Sequence, residues 1–186
     1  MSLPRRLSPE AAKLAAAEVG IPEIMADLSV FQILLANPAV AGALNGLLST
    51  LLWKGSLDPR LRELIIMRIG WATGSVYEWT QHWRVATQLG VDPEDVLAVR
   101  DWPTSDRFGP IERAVLAATD ETLETGAISA ATMTECAEHL RDDGVLVELV
   151  VAIGNWRLFS SLLRSLDVPL EDGIDPWPPD GLTPAT

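Results

Sequence analysis

Cysteine is nearly absent from this sequence: its 186 residues hold one, Cys136. A single thiol excludes an intrachain disulfide, a Cys-x-x-Cys redox centre and a cysteine-rich zinc module. Basic residues are also scarce, 14 against 26 acidic, for a formal net charge of −12. Such a balance repels phosphate at long range, and no basic run exceeds Arg5-Arg6, so neither a nucleic-acid nor a membrane partner is expected. Long hydrophobic runs are missing too. The most apolar stretches, around Leu64–Ile69 and Val145–Ile153, are broken by Arg68 and Glu148 and fall short of the ~20 residues that span a bilayer. Near the N-terminus, Glu10, Lys13 and Glu18 interrupt the apolar stretch after Arg5-Arg6, so no signal-peptide core follows. The expected compartment is the cytoplasm.

What is present is helical punctuation. Ser8-Pro9-Glu10, Asp58-Pro59 and Asp92-Pro93-Glu94 each set a capping side chain before a proline at the first helical position. Gly55, Gly90 and Gly126 stand where the preceding helices should end in left-handed caps. Apolar residues between these marks recur at helical spacing, as in Leu61, Leu64, Ile65 and Ile69. The pattern predicts helices over 9–19, 22–36, 38–53, 59–73, 75–89, 93–100, 109–125, 129–141 and 143–167, with no support for a sheet. The fold class is therefore all-α, in one domain over 1–170 followed by a proline-rich tail, 171–186. That tail cannot be helical and is expected as a loosely held extended arm carrying Trp177.

Chemistry concentrates between Glu63 and Arg84, which holds three tryptophans, the sole tyrosine (Tyr77) and one of only two histidines, His82. Glu78 and His82 are four residues apart, so they project from one helix face within hydrogen-bond reach. A carboxylate beside an imidazole stabilises its protonated form and fixes its tautomer, as general acid–base work requires. Glu63 lies on the preceding helix, and antiparallel packing about Gly74 would bring its carboxylate to His82 as well.

The segment Leu57–Gly90, LDPRLRELIIMRIGWATGSVYEWTQHWRVATQLG, resembles the core of the carboxymuconolactone decarboxylase / alkylhydroperoxidase D-like (AhpD-like) superfamily. The stretch Leu146–Leu170, LVELVVAIGNWRLFSSLLRSLDVPL, resembles its terminal helix, and together the two extend the likeness over about residues 40–170. The resemblance implies the AhpD-like helical fold and a symmetric homo-oligomer. The peroxidase branch has a glutamate, an eleven-residue gap, then Cys-x-x-Cys-x-x-x-His; here those places hold Glu63, Ser75, Glu78 and His82. Neither Ser75 nor Glu78 can supply a thiolate, and Cys136 lies on another predicted helix, so thiol-dependent peroxide reduction is not expected.

What remains resembles the decarboxylase-like branch, in which a Glu/His pair handles protons without a cofactor. That likeness implies a lyase or isomerase acting on a small carboxylated or lactone metabolite, with His82 as proton donor, Glu63 orienting it and Glu78 assisting. Tyr77 and Ser75 would contact the substrate at the rim, and Arg68 or Arg84 would clamp a carboxylate. No cofactor and no metal is expected, since one imidazole and two carboxylates make a weak ligand set. Plainer readings stand beside these. Ser75 and Glu78 form a capping box in sequence, His82 can be a satisfied structural histidine, and Glu63 can pair with Arg60 or Arg62 at the surface. The tryptophans read as core or interface anchors. The alternative function is a non-catalytic small-molecule-binding or assembly protein that retained the fold without its redox cysteines.

Overall fold

Proline and its capping partner decide where the helices begin. In the computed structural model, which describes residues 4–176, 180 and 182, Ser8 Oγ accepts from the Ala11 amide at the start of α1 (Pro9–Glu18). Asp58 accepts from the amides of Arg60 and Leu61 ahead of α5 (Pro59–Thr73), and Asp92 from that of Glu94 ahead of α7 (Pro93–Ala98). These bonds satisfy amides that a helix's own first turn leaves unpaired. Among the described residues there is no strand, and Trp177 lies outside them.

The chain divides into two compact units, one up to Lys54 together with Leu162–Asp175, the other Gly55–Ser161 with the end of the chain. The first holds α1, α2 (Glu23–Ala26), α3 (Ser29–Leu34) and α4 (Pro38–Trp53) around Ala16, Phe31, Leu34, Leu35 and Leu51. Its one departure from the sequence pattern is the region 22–36, expected as a single helix and observed as two. Leu28 is extended, and the Ser29 amide donates to Glu171 Oε1 at 3.0 Å instead of to a helical carbonyl.

The second unit is built on α5, which is buried almost all round. Leu61, Leu64, Ile65, Ile66, Met67 and Ile69 are all enclosed, each contributing roughly 1.5–3 kcal/mol by leaving water. It packs most extensively on α6 (Val76–Gln88) and next on α8 (Pro110–Thr125), with α9 (Ala130–Leu140) against α8. The long α10 (Asp143–Ser165) contributes its residues through Ser161. Gly74, at φ 70°, turns α5 back into α6, and a Cβ on Gly70 would lie 3.3 Å from the Trp79 amide nitrogen, so the two helices approach closely there. This is the antiparallel arrangement that the site requires.

Gly126 and Gly90 take positive φ as expected, but Gly55 does not. Glu148 from α10 occupies the space beside Gly55, where a Cβ would run into its carboxylate. That carboxylate accepts from the amides of Ser56 (2.7 Å) and Leu57 (3.1 Å), tying α10 to the entry of α5. The stretch Val145–Ile153 lies within the long helix that the sequence pattern predicts over 143–167. With 23 residues, 18 consecutive ones having a mean hydropathy of 1.5, α10 has the length and composition to cross a membrane. One side of it, carrying Leu149, Ala152, Ile153, Trp156 and Phe159, is buried in protein.

Candidate active site

Glu63, in the middle of α5, is fully buried. Its Oε2 accepts from His82 Nδ1 on α6 at 2.7 Å, and its Oε1 accepts from Arg62 Nε at 3.0 Å. A buried carboxylate without partners would be prohibitively costly, so a guanidinium on one oxygen and an imidazole on the other explain how it is held. With Nδ1–H donated to Glu63, the other ring nitrogen, Nε2, is left with its lone pair directed at two neighbours. Trp156 Nε1–H of α10 points at it from 3.4 Å, with the two rings edge-to-face, and Glu78 Oε2 lies 3.4 Å away one helical turn back on α6. Nε2 is therefore the ring nitrogen turned away from Glu63, whose bond to Nδ1 fixes the orientation of the imidazole.

Burial dominates the protonation of this centre. Desolvation pushes the Glu78 carboxyl up from its ordinary 4.5 to about 7; the Glu63 charge adds to the rise and His82 opposes it. Desolvation alone would lower the His82 imidazole, but the charge and hydrogen bond of Glu63, together with Glu78, outweigh it and hold the ring above its ordinary range. Both groups retain protons to higher pH than usual. Near neutrality the His82–Glu78 pair gains or loses one proton with little cost, which is the property of a proton-transfer site.

The candidate residues named from sequence fall into two sets. Glu63, Glu78 and His82 come together. Ser75 caps the start of α6 only through its backbone, because its hydroxyl makes no capping bond; Glu78 faces His82, so the reciprocal capping box does not form. Buried Ser75 Oγ has no hydrogen-bond partner among the described residues. Tyr77 is buried and already engaged with neighbouring residues, where a place at a rim was expected. Arg68 is not available as a clamp. Its Nε and Nη2 grip Asp120 at 2.6 and 2.9 Å, its Nη1 donates to the carbonyls of Val99 and Arg100, and Trp102 Nε1 completes the Asp120 shell. Arg84 is exposed on α6.

Two contributors escaped the sequence reading. Arg62 was considered only as a surface partner of Glu63, yet its side chain is nearly as enclosed as the carboxylate it holds. The signal was there in a base and an acid adjacent at the start of the apolar run Leu64–Met67. Trp156 sits in the Gly-Asn-Trp of the terminal helix, a segment noticed for its likeness and given no role. Its neighbour Asn155 is also buried, and neither polar atom of its amide has a partner among the described residues. Cys136 is remote in kind as well as in sequence: it is buried on α9 and its thiol is pushed up to about 11, chiefly by desolvation. Among the described residues no three His, Cys, Asp or Glu side chains are arranged to hold a metal ion.

Known proteins share this architecture. The profile of the carboxymuconolactone decarboxylase family matches residues 38–121, which contain Glu63, Glu78 and His82. A solved protein from Agrobacterium tumefaciens, associated with the antioxidant defence protein AhpD, is 22% identical, with a TM-score of 0.67 over 73% of this chain and 92% of its own. A cysteine-to-alanine form of the debrominase Bmp8, in complex with 2,3,4-tribromopyrrole, is 21% identical at a TM-score of 0.70, covering 92% of each chain. An AhpD-core, peroxidase-related protein from Ralstonia eutropha is 18% identical at 0.71, over 90% of this chain and 88% of that one. No curated protein sequence matches the chain significantly. Residues 38–121 thus match the carboxymuconolactone decarboxylase profile, and the chain shares the helical fold of the AhpD-like solved proteins.

Proposed function

We propose that the protein is a cofactor-independent lyase or isomerase that moves a proton at carbon on a small lactone or carboxylated metabolite. The observation that carries this reading is the 2.7 Å Glu63–His82 bond inside the protein, which leaves Nε2 as the reactive atom beside a carboxyl poised near neutral pH. In an isomerisation, Nε2 takes a proton from carbon next to a carbonyl and the C–H electron pair becomes an enolate. Either Nε2–H or the Glu78 acid then returns a proton to a second carbon. In a decarboxylation, the C–C bond to the carboxylate breaks, carbon dioxide leaves, and the electron pair left on carbon accepts a proton from Nε2–H. Glu63 stabilises the imidazolium, which forms when Nε2 takes the proton in the isomerisation and is the starting acid in the decarboxylation.

This chemistry needs no thiol, in keeping with Ser75 and Glu78 at the positions where the peroxidase pattern has cysteines. Because Arg68 is committed to Asp120 and Arg84 is exposed, the lactone form of the substrate suits the site better than a polycarboxylate. One relative of the same fold binds 2,3,4-tribromopyrrole, a small ring of comparable size to a lactone.

The test is a panel of small lactones and β-keto acids incubated in deuterium oxide and read by product mass. Turnover should place one deuterium at carbon, and His82→Gln should lower the rate by roughly 10²–10⁴-fold, the usual contribution of a positioned acid or base. Equal turnover in His82→Gln would sink the reading. Ligands that raise the melting temperature of the wild type without any product would instead support the binding-protein alternative.

A further inference from the structure

We propose that the Trp156 indole N–H is a catalytic hydrogen-bond donor, receiving the enolate oxygen that forms when the neighbouring carbon reacts at His82 Nε2. The assignment rests on the proton-transfer chemistry proposed for His82 and names the group that stabilises its intermediate. In the isomerisation the proton goes to Nε2, the C–H pair becomes the C=C bond of the enolate, and the carbonyl π pair moves onto oxygen. Loss of carbon dioxide from a β-keto acid leaves the same enolate, its C=C bond made from the broken C–C pair. In both reactions the new negative charge sits on an oxygen about 2.4 Å from the reacting carbon, the span of one C–C and one C=O bond. A donor aimed at that oxygen from dry surroundings is commonly the largest single contribution to such a step.

Trp156 is placed for this. Its indole nitrogen is 3.4 Å from Nε2, edge-to-face with the imidazole at an interplanar angle of 87°. A base within ~3.2 Å of the carbon and a donor ~2.7–3.1 Å from the oxygen must stand about 3–5 Å apart, and the observed separation lies in that span. At 3.4 Å the resting contact is longer than the ~2.9–3.0 Å of a well-made N–H bond, so an oxyanion takes this donor from Nε2 at little cost. The indole is 1% exposed and held on α10, while the His82 side chain, at 13%, stays partly open to solvent. Burial keeps water off the donor and fixes its direction before the substrate arrives. The other polar groups of the site suit the role less. Glu78 Oε2 also lies 3.4 Å from Nε2, but an ionised carboxylate repels an enolate and a protonated one surrenders its proton to the oxygen. Arg62 is turned to Glu63, and Arg68 to Asp120. An indole N–H donates without ionising, so it stabilises the enolate and leaves carbon as the place of reprotonation. Glu78 is then left to deliver that proton to carbon.

Two measurements on the full chain test this. The first needs no turnover: 4-nitrophenolate, an oxyanion on a flat ring, is titrated in at pH 8. The indole N–H resonance in contact with the His82 ring protons is followed by NMR. That resonance should move downfield as the ligand binds, and Trp156→Phe should bind it roughly 10-fold more weakly or worse. The second is the panel of lactones and β-keto acids in deuterium oxide. Trp156→Phe keeps an aromatic ring in place and loses the donor, so kcat should fall by roughly 10²-fold, with KM nearly unchanged and deuterium at the same carbon. A structural role alone would lower the melting temperature and raise KM together. Where Trp156→Phe melts far below wild type, the wild-type titration decides alone. Failure of 4-nitrophenolate to bind, a Trp156 resonance that stays in place at saturation, or a well-folded Trp156→Phe protein with wild-type kcat overturns the proposal. Full turnover in His82→Gln would instead remove the proton-transfer reading on which the donor rests, so the two failures are told apart.

Discussion

Replacing Glu78 by glutamine should make the protein more stable, and only at high pH. Glu78 is 5% exposed, and its carboxyl is raised from 4.5 to about 7 mainly by desolvation. Between those values the folded protein holds a proton that the unfolded chain has released, so stability falls as pH rises through the window and stays lower above it. His82 acts with the same sign: its raised pKa contributes stability below the ordinary histidine range that is lost as pH climbs through the folded value. At about 1.4 kcal/mol per pH unit, ionising Glu78 in place costs about 3 kcal/mol at pH 8. That figure already contains the attraction to His82, and the buried amide must itself be hydrogen-bonded, so a net of about 1–3 kcal/mol is the working figure. Glutamine keeps the shape and can still donate to Nε2, but carries no charge to desolvate. For a chain of this length each kcal/mol moves the melting temperature by about 2–4 °C, so Glu78→Gln should melt about 3–10 °C above wild type at pH 8. Near pH 4.5 the difference should shrink toward zero. Melting curves of both proteins across pH 4.5–8 decide the matter, and a gap that stays constant with pH, or that favours wild type at pH 8, refutes the argument.

The same structure sets three further expectations. Glu63→Ala removes the carboxylate that pairs with the buried Arg62 guanidinium and should cost about 3–5 kcal/mol in urea denaturation. By removing the acceptor on Nδ1 it should also lower the His82 pKa, as read from its imidazole proton resonances. Gly55→Ala drives a methyl into the Glu148 carboxylate and breaks its bonds to the Ser56 and Leu57 amides, at a cost of about 1–3 kcal/mol. Combined with Glu148→Gln the loss should be much less than additive. Arg68→Lys gives up the two-pronged grip on Asp120 and should destabilise by about 1–2 kcal/mol with kcat/KM unchanged, whereas Arg84→Ala should stay within about 0.5 kcal/mol of wild type. A large rise in KM for either would mean that an arginine does receive the substrate.

How far the sequence could be read follows from which forces were local. Helix starts were legible at Ser8, Asp58 and Asp92 because a cap and its proline act within one turn. The break at Leu28 was not, because the group that takes the Ser29 amide, Glu171, lies far along the chain. Gly55 looked like a left-handed cap for the same reason: its true constraint, Glu148, comes from α10. In the site, the Glu78–His82 spacing is local, and the meeting with Glu63 needed only the turn at Gly74. Arg62, Trp156 and the commitment of Arg68 to Asp120 required knowing which faces are buried, and periodicity does not say so for a helix buried all round like α5.

One local conflict was visible in the sequence and turned out to matter. Ser75 and Glu78 stand in capping-box register, so the cheapest use of Glu78 would be to accept from the free amides at the start of α6. The fold does not use it that way. Glu78 is turned from those amides toward His82, the Ser75 hydroxyl is left without a partner among the described residues, and the carboxyl sits where its charge is unwelcome. A stabilising arrangement was within reach of the same side chains and a costlier one is adopted. Strain of that kind persists where the displaced group has another task, and here the displaced group faces Nε2, the imidazole nitrogen not bound to Glu63. The stability gained by Glu78→Gln and the proton-transfer capacity lost with it should therefore be two readings of a single feature.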